Sequence, residues 1–419
     1  MKTLQVKQSF LDFFERNGHK IVESGPVILD GSFGLLFANA GMVQFKDVFL
    51  GKLELPYNRV ASSQFCFRAG GKHNDLENIG FTKRHHTFFE MLGNFSFNDY
   101  YKEEAIKFSW EYITEVLDIP KDKLCVTVFK GDTESATLWK KYANINSNKL
   151  ITKGLNDNFW SMGEVGPCGY CSEIFYDCGL SVSDADRYIE IWNLVFLEYN
   201  RLSDGTLINL NKRFIDTGMG LERITSVVQH VYDNYCIDIF DVLLTELCYI
   251  LKCKKTSSSV RVVADHLRAC VFLLYFKLKP GYTGSGYVLR RVIRRTIYHM
   301  LKLNSSCLLY ELVYKTVAIL SSTYPYIIES RQMIVELIKE EEFKFKSTLA
   351  AGLLIFNKYL SKSYTDVLSG QLLFKLYNTY GLPISFICDV ACDRNLGIDV
   401  GGFRSELLLH KKKSRLEYI

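Results

Sequence analysis

The chain lacks an apolar run long enough to cross a bilayer. Its longest strongly apolar stretch, Cys270–Phe276 (CVFLLYF), falls far short of the roughly 20 residues that a spanning helix needs. Residues 1–18 (MKTLQVKQSFLDFFERNG) have no continuous apolar core, so a secretory signal is not expected there. Leu4, Phe10, Leu11 and Phe14 instead fall near helical spacing and predict a helix stopped at Gly18. Neither GxxxxGK[ST] nor GxGxxG occurs, which excludes the P-loop and the dinucleotide fingerprint. No fixed-period repeat or low-complexity tract is found.

What is present is ordinary for a large globular chain. There are 419 residues, 48% hydrophobic and 23% charged, enough for two or three domains. Twelve scattered cysteines without an export signal predict reduced thiols and a cytoplasmic location, not a disulfide framework. A net charge of +5 permits nucleic-acid binding without demanding it. Up to about residue 225 the chain shows short strand-like runs, including 124–130 (LCVTVFK) and 188–199 (YIEIWNLVFLEY). From about 237 the pattern turns helical, and the apolar spacing over 331–362 predicts one long amphipathic helix. The expectation is an α+β domain over 1–236 and an all-α domain over 237–419.

Four stretches carry chemistry. Residues 84–97 read RHHTFFEMLGNFSF. If a strand begins at Arg84, alternation puts Arg84, His86, Phe88 and Glu90 on one face and mostly core residues on the other. The first face suits a polyanion carrying a flat base, with cations for phosphates and Phe88 for stacking. Residues 68–81 (RAGGKHNDLENIGF) read as a loop between two strands. That hairpin would aim Arg68, Lys72, Arg84 and His86 at one spot. In DTGMGLER (216–223) glycines precede a helix, where backbone amides can approach an anion. Asp216 there is either a receiver for an ammonium or a helix cap. In YVLRRVIRRTIYHMLKL (287–303), Arg290, Arg291, Arg294 and Arg295 share one arc, opposite Leu289, Val292, Ile293 and Ile297. With no interleaved acid, that arc reads as a solvated basic face or an RNA-backbone face. The tail HKKKSR (410–415) is expected to be solvated. Cys168 and Cys171 form a CxxC, but no second pair follows at finger spacing, so no zinc or other protein-held metal is expected.

These blocks, with LLFANAGMVQFKDVFLG (35–51), NFWSMGEVGPCGYCSEIFYD (158–177), IEIWNLVF (189–196), RVVADHLRACVFL (261–273), GYVLRRVIRR (286–295) and YNTYGLPISF (377–386), closely resemble the alanyl-tRNA synthetase family over nearly the whole chain. The class I signatures HIGH and KMSKS are absent, as that resemblance requires. It implies a class II antiparallel sheet flanked by helices, then a helical domain recognising the acceptor stem of tRNA(Ala). It implies activation of alanine by ATP with Mg2+, then transfer to the tRNA 3′ end.

By motif match, the resemblance gives Arg68, Lys72 and Arg223 catalytic roles. Arg68, Arg84, His86, Phe88, Trp160, Glu190, Ile191, Trp192, Gly220 and Arg223 would hold ATP, and Asn193 and Asp216 would hold alanine. Arg290, Arg291, Arg294, Arg295 and Asp399 would contact tRNA. Two positions depart from the pattern. Gly70 stands where an acid often follows the second-motif arginine, and Thr283-Gly284-Ser285 stand where an asparagine helps read the acceptor stem. Relatives continue past the point matching Ile419 into editing and oligomerisation domains. A monomer with measurable serine or glycine mischarging is therefore expected. The rival readings are a relative that loads a carrier protein and a degenerate tRNA binder; the second should have lost Arg68, Asp216 or Arg223, and all three are present.

Overall fold

A computed structural model describes residues 1–416 apart from 32–34, 71–72, 75, 164, 180–183, 304–305, 361–365, 381 and 383. Lys72 thus lies outside the described residues, as do the side chains of the 411–415 tail.

The strands are β1 (Lys20–Ile21), β2 (Arg59–Phe67), β3 (Ala69–Gly70), β4 (His73–Asn74), β5 (Phe88–Phe97), β6 (Leu124–Phe129), β7 (Leu150–Lys153), β8 (Phe159–Ser161), β9 (Gly166–Asp177), β10 (Tyr188–Arg201), β11 (Leu207–Gly220), β12 (Val367–Leu368) and β13 (Gly397–Ile398). Nine of them form one sheet in the order β1-β2-β5-β11-β10-β9-β6-β7, with β8 on β9. The central pairs are antiparallel, as the resemblance implied, while the marginal pairs β1/β2 and β6/β7 are parallel. Helices α1 (Thr3–Arg16), α2 (Lys46–Phe49), α3 (Lys102–Glu111), α4 (Thr133–Ala143), α5 (Asp184–Arg187) and α6 (Leu221–Val228) accompany the sheet. After it come α7 (Asp238–Leu251), α8 (Ser258–Tyr275), α9 (Gly284–Lys302), α10 (Leu309–Leu320), α11 (Arg331–Leu360), α12 (Gly370–Asn378), α13 (Ile384–Asp393) and α14 (Val400–Leu416). No described helix is long and apolar enough to cross a membrane.

The sheet has two faces with different jobs. On one, Leu92, Ile174, Trp192, Leu194 and Phe196 pack under α1, α3, α4 and α6. On the other, Phe95, Phe97, Val195 and Leu197 pack with Met42, Phe45 and Phe49, and this face carries the cavity described below. The ends of β2 and β5 contribute Phe65, Phe67 and Phe88 to a third core built mainly from the helices after the sheet.

The helix joining the two halves is α8. Every described side chain from Val262 to Leu274 is buried. Val262, Asp265, Arg268 and Phe272 recur at helical spacing and so share one face, which lies along the start of β5. Phe272 stacks on Phe88 with centroids 4.5 Å apart. Arg268 donates to the Phe88 carbonyl at 3.1 Å and to Glu222 at 2.6 Å. Asp265 accepts from the Thr87 amide at 3.1 Å and from the Nδ1 atoms of His86 and His266 at 3.0 and 2.9 Å. Burial alone would raise the Asp265 pKa, but these hydrogen bonds hold it well below the usual carboxylate range. Gly80 has φ +83°, and a Cβ there would lie 2.6 Å from the Ser258 carbonyl at the start of the same helix.

Glu222 and Arg268 form a buried ion pair, each about 2% exposed or less. Removing one member strands the other charge. Arg268→Met should therefore cost about 3–5 kcal/mol, while the double change Arg268→Met/Glu222→Gln should recover most of it. Urea unfolding midpoints of the three proteins check this.

Candidate active site

A cavity of about 580 Å3 opens on the second face of the sheet. Its floor follows from register. Glu173 of β9 lies opposite Asn193 of β10, which lies opposite Gly218 of β11. In the neighbouring row Cys171 faces Val195, which faces Asp216. All six line the cavity. Gly218 leaves room in the first row, and a Cβ there would meet the Met91 sulfur at 2.9 Å.

Glu190 joins Asn193 on this floor although odd spacing in a regular strand would put them on opposite faces. The register shifts between Glu190 and Trp192, and a bulge of this kind re-aims side chains. The shift also separates the Trp192 side chain from the Glu190–Trp192 backbone that the resemblance places at the nucleotide site. Trp192 is fully buried on the opposite face, against Phe10, Phe14 and Tyr112 of the α1 side; its indole does not reach the cavity. Ile191 does line it.

The cavity walls carry the cations. Arg68, just past β2, donates its Nε to the Asn39 carbonyl at 3.0 Å. Its guanidinium lies 5.1 Å from the Phe89 ring centre. Arg84 sits at the rim, bonded to Asp186 at 2.9 Å and to the Tyr188 carbonyl at 2.8 Å. His86 lines the cavity with Nδ1 held by Asp265 and its ring stacked on Phe240 at 4.5 Å. Arg223, in the first turn of α6 beyond Gly220, donates to the Glu190 carbonyl at 2.9 Å, with the Glu190 carboxylate at 3.3 Å. Trp160 and Gly220 complete the lining.

Phe88 requires a correction. It is 0% exposed beneath Phe272, and Glu90 on the same face is equally buried. Glu90 accepts from Lys7 at 2.6 Å, Ser63 at 2.7 Å and Tyr324 at 2.5 Å. The ring that faces the cavity is Phe89, followed by Met91. The strand begins at Phe88, after the cations, so counting parity from Arg84 inverted its faces.

The arginine arc requires another. Arg294 and Arg295 are 5% and 3% exposed. Arg290 and Arg294 both donate to Glu341 of α11 at 2.8 Å. Arg291 donates to the Ala69 carbonyl and Arg295 to the Leu76 carbonyl. The arc is neither solvated nor open to RNA over most of its surface, because its acid partner lies some fifty residues downstream on another helix. Asp399 is exposed and caps α14, accepting from the Gly402 amide at 2.8 Å. The Cys168–Cys171 pair sits three apart on β9, so the two thiols point to opposite faces.

Two carboxylates on the floor are electrostatically unusual. Burial pushes Asp216 up to about 7. Burial and the nearby Glu190 charge push Glu173 up to about 8. Glu173 was not singled out from the sequence. It lies within a block quoted above, but only strand pairing brings it beside Glu190 and Asn193.

A buried acid with no ion partner among the described residues, cationic walls and a flat ring above a β-sheet floor suit a small ammonium-bearing acid beside a nucleotide. The sequence model of the family described as tRNA synthetases class II (A) matches residues 5–418. The chain belongs to that family. Curated relatives named alanine–tRNA ligase match it closely. One from Pseudoalteromonas translucida is 47% identical over 99% of this chain and 49% of its own length. One from Rickettsia bellii is 46% identical over 100% and 49%, and one from Haemophilus influenzae is 45% identical over 99% and 50%. The chain thus spans about half the length of these relatives. A crystal structure of pyrrolysyl-tRNA synthetase from Desulfitobacterium hafniense is 10% identical with a TM-score of 0.33, over 56% of this chain and 72% of that one.

The raised Asp216 has a stability consequence in this synthetase fold. A carboxyl whose folded pKa exceeds its ordinary 3.8 favours the fold while protonated, and that contribution is lost as pH rises through about 7. Asp216→Asn should therefore stabilise the empty protein at pH 8, by up to about 4 kcal/mol. The advantage should vanish near pH 3. Thermal midpoints across that range read it directly.

Proposed function

We propose that this chain activates alanine with ATP and transfers it to tRNA(Ala), as an alanine–tRNA ligase. The observation that carries this reading is the single cavity that brings Asp216 and Asn193 together with Arg68, Arg84, His86 and Arg223. Residues 1–236 would form the adenylating unit, and residues 237–419 would receive the acceptor stem.

In this reading Asp216 takes the alanine ammonium and Asn193 its carboxylate end. Val195, Cys171 and Met91 leave room for a methyl group. Phe89, in place of Phe88, stacks on adenine. The main chain at Glu190–Trp192 and Gly220 borders the nucleotide. Arg68 and Arg223 neutralise the charge that develops when the alanine carboxylate attacks the α-phosphorus and pyrophosphate leaves. Arg84 and His86 meet the remaining phosphates. No general base is needed, because the nucleophile is already ionised; alignment and charge neutralisation supply the acceleration. Class II synthetases use ATP with Mg2+. The Glu173–Glu190 pair beside Arg223 offers the hard oxygen ligands that cation prefers.

Alanine-dependent ATP–pyrophosphate exchange tests the reading, with serine and glycine in parallel. Alanine should dominate by about 10- to 200-fold, the range that one methyl or hydroxyl group allows by binding. Exchange with none of the three would overturn it. Because the ammonium needs an ionised Asp216, half-saturation by alanine should rise about tenfold per pH unit below 7. ATP half-saturation should not follow it.

A further inference from the structure

The four arginines of α9 and the acid of α8 leave a question that RNA contact does not answer. Arg291 reaches the Ala69 carbonyl and Arg295 the Leu76 carbonyl. Ala69 opens β3, and Leu76 follows β4, the antiparallel partner of β3. Leu76 is 2% exposed and belongs to the helical core. Further along the same return limb, Gly80 packs on the first turn of α8 and its amide donates to the Tyr235 hydroxyl at 3.1 Å. Asp265 then holds His86 and Thr87, and the Thr87 carbonyl accepts from the Arg68 amide at 2.8 Å. The segment from Arg68 to Phe88 is thus tied to the helical half at Ala69, Leu76, Gly80, His86, Thr87 and Phe88.

Four of the ties join a charged side chain to a backbone atom, namely Arg291 to Ala69, Arg295 to Leu76, Asp265 to Thr87 and Arg268 to Phe88. Among the described residues the Arg291 Nε has no hydrogen-bond partner, and the Arg295 Nε faces only the Asp389 carboxylate of α13 at 3.5 Å. Their chief bonds go to the limb that carries Arg68 and His86 into the cavity.

We propose that α8 and α9 are the brace that positions the nucleotide-gripping limb, with Arg291, Arg295 and Asp265 as positioning residues for ATP. This rests on the ligase reading of the cavity, but its test does not need turnover. The adenylating unit would then extend into the helical half, and the paired arginines would serve the first reaction step before any RNA arrives.

The experiment compares the intact chain with Arg291→Lys, Arg291→Gln and Asp265→Asn. Three quantities are measured: ATP affinity by calorimetry, half-saturation by ATP and by alanine in exchange, and affinity for tRNA(Ala) transcript. Losing one charged hydrogen bond should weaken ATP about tenfold or more, with alanine half-saturation and tRNA affinity unchanged and Arg291→Lys partly rescued. Unchanged ATP affinity with weakened, salt-sensitive tRNA binding would overturn the proposal in favour of an RNA face. A lowered active fraction with every affinity intact would overturn it in favour of a purely structural role. If the parent binds ATP but shows no alanine-dependent exchange, the ligase reading fails, while the ATP affinities still decide the brace.

Discussion

One helix face determines how the cavity is built. Asp265, Arg268 and Phe272 of α8 meet Thr87, Phe88 and Glu222 at the point where β5 begins. Once Phe88 is stacked on Phe272, alternation decides the rest of the strand. Phe89 and Met91 must face the cavity; Glu90 and Leu92 must face the core. Gly220 is then set beside Met91 by the β11–β5 register, and Asp216 beside Phe95. A one-residue slip would put Glu90 in the cavity and two apolar side chains among Lys7, Ser63 and Tyr324. Register is well specified here because both faces are chemically committed.

The same commitment makes the floor expensive to keep. Asp216 is buried without an ion partner among the described residues, and Glu173 lies close to Glu190. Groups so placed have displaced pKa values and are retained against stability, a pattern common at functional sites. The surrounding sheet tolerates them because its opposite face is dense with aromatic contacts among Phe10, Phe14, Tyr112 and Trp192. That aromatic face is where Trp192 went once the bulge at Glu190 broke strand parity.

What was legible in the sequence was local. Periodicity located α1 with its stop before Gly18 (φ +80°), the strands at 124–129 and 188–201, and the thirty-residue α11. The motifs brought Arg68, Arg84, His86, Asn193, Asp216, Glu190 and Arg223 to one cavity. What was not legible depended on partners far along the chain. Phe88 and Phe89 exchanged roles because parity was counted from a residue that precedes the strand. Glu173 needed strand pairing to become visible. The arginine arc looked unpaired because Glu341, Ala69 and Leu76 are remote in sequence and two of them accept through backbone oxygen, which no side-chain pattern encodes.

The choice of arginine at these positions has a physical reason. A buried backbone carbonyl is a strong acceptor and is costly to leave unpaired. Arginine offers a planar, always charged donor set on a long stem, so one helix can reach several backbone oxygens without closing on them. A lysine would present a compact, strongly hydrated charge that is more costly to desolvate. An apolar residue would satisfy no carbonyl at all. Arg290 and Arg294 add the complementary half by gripping Glu341 on α11, which anchors α9 from its other side. Force applied to the helical half is therefore transmitted to Ala69 and Leu76 through short, directional bonds. The limb that carries Arg68 and His86 also meets the helical core through Leu76 and Phe88, but apolar burial is non-directional.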